Sequence, residues 1–429
     1  MKKLLSKWDE ILTDYEANVT HIYERRIVHQ LFDVVYHSIL SFPFKGTMVE
    51  RGWLDAAVIG DTRTGKSEVA KTLCSHLKVA KPVAAENVSV AGLVGGVQQT
   101  GNKWSITWGL WPRLDRRACV NDETTGLSQE QIGVLSDVRS SGKATITKIQ
   151  SDTTWARVRK LWLANPRTEY NKKVSTYLFG CLVIPEIFGR AEDVARLDLA
   201  TVIAVEEVPE AVLNSQEIRV VPHKYTSEAA HELVYWCWSR RPDQVCWEKG
   251  TENAVLAVSS DLCKLYSSDI PIVEPGEQRI RVARVAVALA ARFHSTDGTG
   301  EKVRVLPEHV ELAQWLFHEC YDRPYCGYDR FSKKRIARDT PMTEREMQEI
   351  LDVLSTYQDS QMLMEAVSFT DDFTRLGVLA PHQVPKLLAD LVKLGLLEQS
   401  EQGLRRTRKF VQFHNKLEGR QVHVSAPRF

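Results

Sequence analysis

Residues 60–67 read Gly60-Asp61-Thr62-Arg63-Thr64-Gly65-Lys66-Ser67 and fit G-x-x-x-x-G-K-[ST] in full. Backbone N–H groups of such a loop, together with the N-terminus of the helix it opens, cradle phosphate oxygens. Lys66 is the side chain for the β- and γ-phosphates, and the Ser67 hydroxyl is a ligand for Mg2+. The flanks suit this chemistry. "LDAAVIG" (54–60) predicts a strand before the loop, and "KSEVAKTLCSHL" predicts a helix after it. The expected nucleotide is ATP.

A second apolar run, "RACVNDE" (117–123), ends in two carboxylates. Asp122 is placed to hold Mg2+, directly or through water, and Glu123 to polarise an attacking water. Alone, such a pair is an ordinary solvated strand end; behind a complete phosphate loop it reads as catalytic. A third run, "RKLWLANP" (159–166), ends in Asn165. In ATPases of this plan a polar residue there touches the γ-phosphate or the lytic water. The bland account of Asn165 is a turn opened before Pro166.

These residues need a scaffold. With "LATVIAVEE" (199–207) the apolar runs number four, separated by helical segments, which predicts an α/β fold with a parallel sheet covered by helices. Residues 1–50 read as a helical segment, with Leu4, Leu5, Trp8, Ile11, Leu12 and Tyr15 on one face and a second stripe from Ile27 to Ile39. The core is expected over 51–224. From 225 to 330 the pattern is wholly helical, a lid, with clear helices at 279–293 and 307–321. Residues 325–345 look like a charged linker, 331–417 like a winged helix, and 418–429 like a loose tail.

Composition sets limits. The 429 residues allow two or three domains. The net charge of +1 gives no global basic field, so any nucleic-acid contact must come from local patches. No apolar run nears the roughly 20 residues of a membrane helix. The opening "MKKLLSKWDEILT" starts like a signal peptide, but Asp9 and Glu10 interrupt it, and a cytoplasmic location is expected. The eight cysteines form no CxxC pair. His318, Cys320 and Cys326 come nearest to metal-ligand spacing but lack a fourth ligand, so reduced structural cysteines are expected.

The ordered motifs carry a resemblance. "VAGLVGG" followed by "GNKWSITWGLWPRLDRRACVNDE" is similar to the helix-2-insert hairpin of MCM helicases running into their acidic strand. "ATITKIQ" resembles their presensor-1 hairpin, "WARVRKLWLANP" their sensor-1 strand, and "VARLDLATVIAVEE" their arginine-finger segment. Over roughly 20–320 the chain thus resembles the AAA+ module of the MCM family, the hexameric ring motors of DNA replication.

The resemblance implies several roles. Lys148 would sit on the ring axis and grip a DNA phosphate, as a mobile point charge can without reading bases. Lys103 on the other hairpin would contact DNA too. Arg196 would be a finger offered to the neighbouring subunit's γ-phosphate, with Arg190 its nearest rival. A sensor-2 arginine is sought among Arg279, Arg281 and Arg284, and Arg281 is the choice. It also implies a homo-oligomer, a hexamer by analogy, with DNA in the channel.

The sequence departs from the family in places. Gly65 stands where the family usually has Ala. Thr124-Thr125-Gly126 replaces Phe-Asp-Lys. The N-terminal zinc and OB-fold tier has no counterpart, and a separate loading subunit could supply it. Trp108 and Trp111 flank the insert turn, where packing is favoured over base stacking. In the C-terminal module Arg405, Arg406, Arg408 and Lys409 cluster near a turn, which suits DNA phosphates or leaves a solvated wing on a protein-contact module. The expected function is an ATP-driven DNA helicase or translocase. The alternative is an AAA+ ATPase that remodels or switches a protein assembly, for example in restriction or phage defence.

Overall fold

A computed structural model of the chain describes all residues except 80–81, 168–172, 211–218, 340–342, 358, 370–375, 401–402, 408, 411, 415 and 418–429. The predicted tail lies outside the described residues. The chain forms two compact units, Met1–Lys333 and Lys334–Phe429.

The first unit is built on a five-stranded parallel sheet. Its strands are β1 (Asp55–Gly60), β2 (Val83–Ala84), β3 (Ala118–Asp122), β4 (Arg159–Ala164) and β5 (Leu199–Ile203), in the order β5-β1-β4-β3-β2. All neighbours are parallel. β1, β4 and β5 are buried along their whole length. That is why the sequence shows continuous Val/Ile/Leu-rich runs there and no alternation. The four apolar runs became β1, β3, β4 and β5. The edge strand β2 has only two residues, too short to leave a pattern.

Register decides what meets at the carboxyl edge. Ala164 of β4 and Val202 of β5 both pair with Ile59, and Ile203 with Gly60. Trp162 and Val83 both pair with Asn121, and Ala84 with Asp122. The strands therefore end nearly level. In open parallel sheets ligands bind in the crevice beyond that edge.

Helices α1 (Lys2–Tyr15) and α2 (Arg26–Tyr36) belong to the same core as the sheet. So do α3 (Lys66–His76), which follows the phosphate loop, α4 (Gln278–Arg292) and α5 (Pro307–Tyr321). Asp33 of α2, buried, accepts from Trp8 Nε1 at 3.0 Å and from Arg292 Nε at 2.6 Å. The buried ion pair joins α2 and α4, and the indole hydrogen bond adds α1. The region after 225 is not wholly helical, because Val245–Trp247 and Val303–Val305 pair as short parallel strands. The expected linker is also different: Tyr328–Asp339 is a helix. Tyr328 is buried and packs against Tyr266 and Tyr321, so an aromatic anchor outweighs the surrounding charge.

Two antiparallel hairpins project from the sheet's connections. The first pairs Gly95–Thr100 with Lys103–Trp108, and the second pairs Lys143–Thr147 with Ser151–Trp155. In the second unit, helices Glu344–Ser355, Ser360–Phe369 and Val384–Lys393 surround their own apolar core, and Leu397–Ser400 pairs with Gly403–Arg406. No helix among the described residues is long and apolar enough to cross a membrane.

Candidate functional site

The loop between β1 and α3 turns through positive φ at Arg63 (+65°) and Gly65 (+83°). At Gly65 an added Cβ would be strained by that φ and would also press on Ile22 at 2.9 Å. This accounts for glycine where the resembled family has alanine. Gly60 is needed for another reason: a Cβ there would lie 2.4 Å from Ile203 Cγ1.

Lys66 folds back across the loop. Its Nζ donates to Gly60 O (2.8 Å), Asp61 O (2.9 Å), Thr64 Oγ1 (3.1 Å) and Asn165 Oδ1 (3.1 Å). Burial pushes its ammonium down to about 8, against the pull of the Asp122 and Asp61 carboxylates. Phosphate oxygens would supply the charge that restores it.

Asp61 contributes its backbone to the loop, but its carboxylate is a structural clamp. It accepts from Val174 N at 2.8 Å and Val205 N at 2.9 Å, fastening the loop to the segments around β5.

Ser67 Oγ donates to Asp122 Oδ1 at 2.9 Å, so the loop and the acidic strand meet although β4 lies between their strands. Asn165, at the end of β4, completes the group from the middle. A cavity of about 310 Å³ is lined by residues 62–68, Asp122, Glu123 and 163–165. Ser67 and Asp122 present the hard oxygen atoms that suit Mg2+, and an ion carried by phosphates needs only one or two from the protein. No larger group of metal-binding side chains occurs among the described residues. His318 Nδ1 is engaged with Tyr266 and Asp322, and Cys320 and Cys326 are buried free thiols.

Glu123 has φ +52°, a left-handed conformation that turns its carboxylate out of the strand line. Sequence reasoning missed its neighbour, Glu86. The β2 register sets Ala84 opposite Asp122, and two residues later Glu86 shares a hydrogen bond with Glu123. Gly126 permits the approach, since a Cβ there would stand 2.3 Å from Glu86 Cα. The Thr-Thr-Gly departure after the acidic pair is thus what admits a third carboxylate. Glu86 raises the Glu123 pKa, first through that hydrogen bond and also by charge. A raised pKa protonates a general base at higher pH. Glu86→Gln removes the like charge, so the acid limb of the pH–rate profile is expected to move to lower pH. An unmoved limb would mean that Glu123 is not the titrating base.

The remaining candidates lie outside this cavity. Arg196 Nε donates to Ser136 O (2.9 Å) and Ser136 Oγ (2.7 Å). Ser136 Oγ in turn donates to Asp193, whose other oxygen accepts from Arg190 Nε at 3.0 Å. Ser136 opens the helix Ser136–Ser141, which runs through Gly142 into the Lys148 hairpin. Arg139 of the same helix donates to Asp55 Oδ2 at 3.0 Å, and Trp162 Nε1 of β4 to Asp55 Oδ1 at 2.6 Å. The Arg196 segment, the helix that leads into the Lys148 hairpin and the strand leading to Asn165 therefore share one bonded network.

Arg281 must be corrected. It is 1% exposed, and its guanidinium donates to the carbonyls of Ile272 and Ala195, so it braces the Arg196 segment from inside. Arg284 is buried on Asp198 at 2.6 Å. Of the three arginines only Arg279 is exposed. Lys103 and Lys148 are exposed on their hairpins. Trp111 is fully buried against Trp162, and Trp108 packs partly on the core, so both serve packing. Arg405 is exposed on the terminal hairpin, Arg406 Nε donates to Val367 O at 2.8 Å, and Arg408 lies outside the described residues.

The fold and the site define a coarse class: an α/β protein with a phosphate-loop sequence at the carboxyl edge of a parallel sheet. No model of a known protein family matches the chain, and no curated protein matches it in sequence.

Proposed function

We propose that the chain is an ATP-hydrolysing ring motor of AAA+ type that moves DNA, as the resemblance to MCM helicases implies. The observation that carries the reading is the meeting of Lys66, Ser67, Asp122, Glu123 and Asn165 around one cavity. These are the groups that phosphoryl transfer to water requires: a cation for the phosphates, hydroxyl and carboxylate oxygens for Mg2+, a base, and a polar contact for the γ-phosphate or water. Mg2+, held by Ser67 and Asp122, would neutralise charge on the phosphates.

On this reading α4 and α5 belong to the lid, and the second unit is a winged helix. Arg196 serves a neighbouring copy, because neither it nor Arg190 lines the cavity of its own subunit. Arg279 replaces Arg281 as the sensor-2 candidate. The network through Ser136 and Asp55 gives nucleotide state a route to Lys148. The hairpins carry lysine and little acid, which favours a phosphate backbone as cargo.

The test is ATP hydrolysis with and without single-stranded DNA, for wild type and Lys148→Ala. DNA stimulation that the substitution abolishes supports the motor. Hydrolysis indifferent to DNA in both proteins transfers the reading to a protein-remodelling ATPase.

A further inference from the structure

The two hairpins are not independent. Gln150 Nε2, in the turn just after Lys148, donates to Trp104 O on the first hairpin at 2.8 Å. The tip bearing Lys148 and Ile149 is thereby fastened to the strand bearing Lys103 and Trp104. Along that strand Trp104, Ile106 and Trp108 point to one face, opposite Gln99, Val97 and Gly95. Trp108 and Ile106, near the base, are half-buried, but Trp104, near the tip, is exposed. Ile149 is 66% exposed.

Trp104 keeps 38% of its surface exposed and Ile149 66%, apolar area at a hairpin tip that folding of a single copy leaves uncovered. Trp155 makes the contrast. It is also exposed, but the Arg157 guanidinium lies 4.6 Å and the Lys143 ammonium 5.2 Å from its ring centre. Its π-face is engaged within the molecule. The Trp104 ring has no aromatic or cationic partner among the described residues. The hairpins carry Lys103, Lys143 and Lys148 against the single acid Asp152.

We propose that the joined tips form a platform for unpaired nucleotides, with Trp104 stacking a base and Lys103 and Lys148 holding adjacent phosphates. The proposal rests on the reading of the chain as a DNA motor and adds the strand state that it grips. Bases inside a duplex are covered on both faces by their neighbours, so away from duplex ends an exposed indole finds a free π-face on a single strand. Stacking tolerates any base and a lysine reads none, so the platform is indifferent to sequence, as a moving contact must be.

The experiment measures fluorescence anisotropy of a labelled oligodeoxythymidine, and of a blunt duplex of labelled oligodeoxyadenosine and oligodeoxythymidine, with the full chain. Trp104→Ala is expected to weaken single-strand binding about tenfold, within the range for loss of one stacked base, and to leave duplex binding nearly unchanged. Trp104→Phe restores most of the loss, and Lys148→Ala weakens both complexes and flattens their salt dependence. Melting temperatures of the variants verify folding. If Trp104→Ala binds the single strand like wild type while Lys148→Ala does not, the platform is wrong and the DNA reading stands. If wild type binds neither probe, the DNA reading fails and takes the platform with it. Trp104-dependent binding of a denatured polypeptide, with no DNA binding, would assign the tips to protein cargo.

Discussion

On the proposed reading, Glu123→Gln is expected to stop ATP turnover and to leave nucleotide binding intact. The amide keeps the size of the side chain and loses its basicity, so the expected fall in single-turnover rate is about 10²- to 10⁴-fold, the usual worth of a positioned general base. Binding survives because the groups for the phosphates and Mg2+ are other residues. Lys66 is fixed by the loop and Asn165, and Ser67 by Asp122. Asp122→Asn is the informative companion. It removes the charge opposite Ser67, so it is expected to weaken Mg2+-dependent binding and rate together. A fluorescent ATP analogue measures the first quantity and quenched-flow hydrolysis the second. Near-wild-type turnover by Glu123→Gln would place the base elsewhere, with the neighbouring Glu86 carboxylate the first candidate.

The contrast between Glu123 and Glu86 shows what the sequence could disclose. Glu123 is legible because an apolar run ends in it, behind a complete phosphate loop. Lys66, Ser67, Asp122 and Asn165 are legible for the same reason: each stands at a fixed offset from a strand with a strong local pattern. Glu86 depends on a two-residue strand, on its parallel register with β3, and on a side chain that Gly126 does not have. None of these leaves a periodic signal. The one available hint was a glycine where the resembled family has a charged residue.

The arginines of α4 fail differently. Residues 282–291 of that helix are apolar apart from Arg284 and all are buried. A helix apolar all round is a buried one, so arginines beyond its first turn belong inside. That argument places Arg284 inside from sequence alone, whereas Arg281 shares the first turn with Arg279 and only the structure separates the two. The interior holds Arg281 through the carbonyl of Ala195, next to Arg196, and through that of Ile272.

Arg196→Ala is expected to lower hydrolysis by about 10³-fold or more in the assembled protein, the scale of an arginine finger. Arg196 spends Nε on Ser136, and its terminal nitrogens have no partner among the described residues. The guanidinium is thus anchored at one edge and open at the other. Arg190 is bonded through Nε to Asp193 and through Nη2 to Gly133 O, so Arg190→Ala is expected to cost far less. Loss of activity alone could reflect a damaged fold, and mixing separates the two causes. An Arg196→Ala subunit retains a complete cavity, and a Glu123→Gln subunit retains a complete finger. In randomly mixed rings with head-to-tail interfaces, roughly a quarter of the interfaces join the intact halves. Two inactive proteins should therefore recover hydrolysis when mixed. No recovery, with both variants folded and assembled, would show that Arg196 acts within its own subunit. Recovery when Arg190→Ala is the inactive partner, with Arg196→Ala active, would transfer the finger to Arg190.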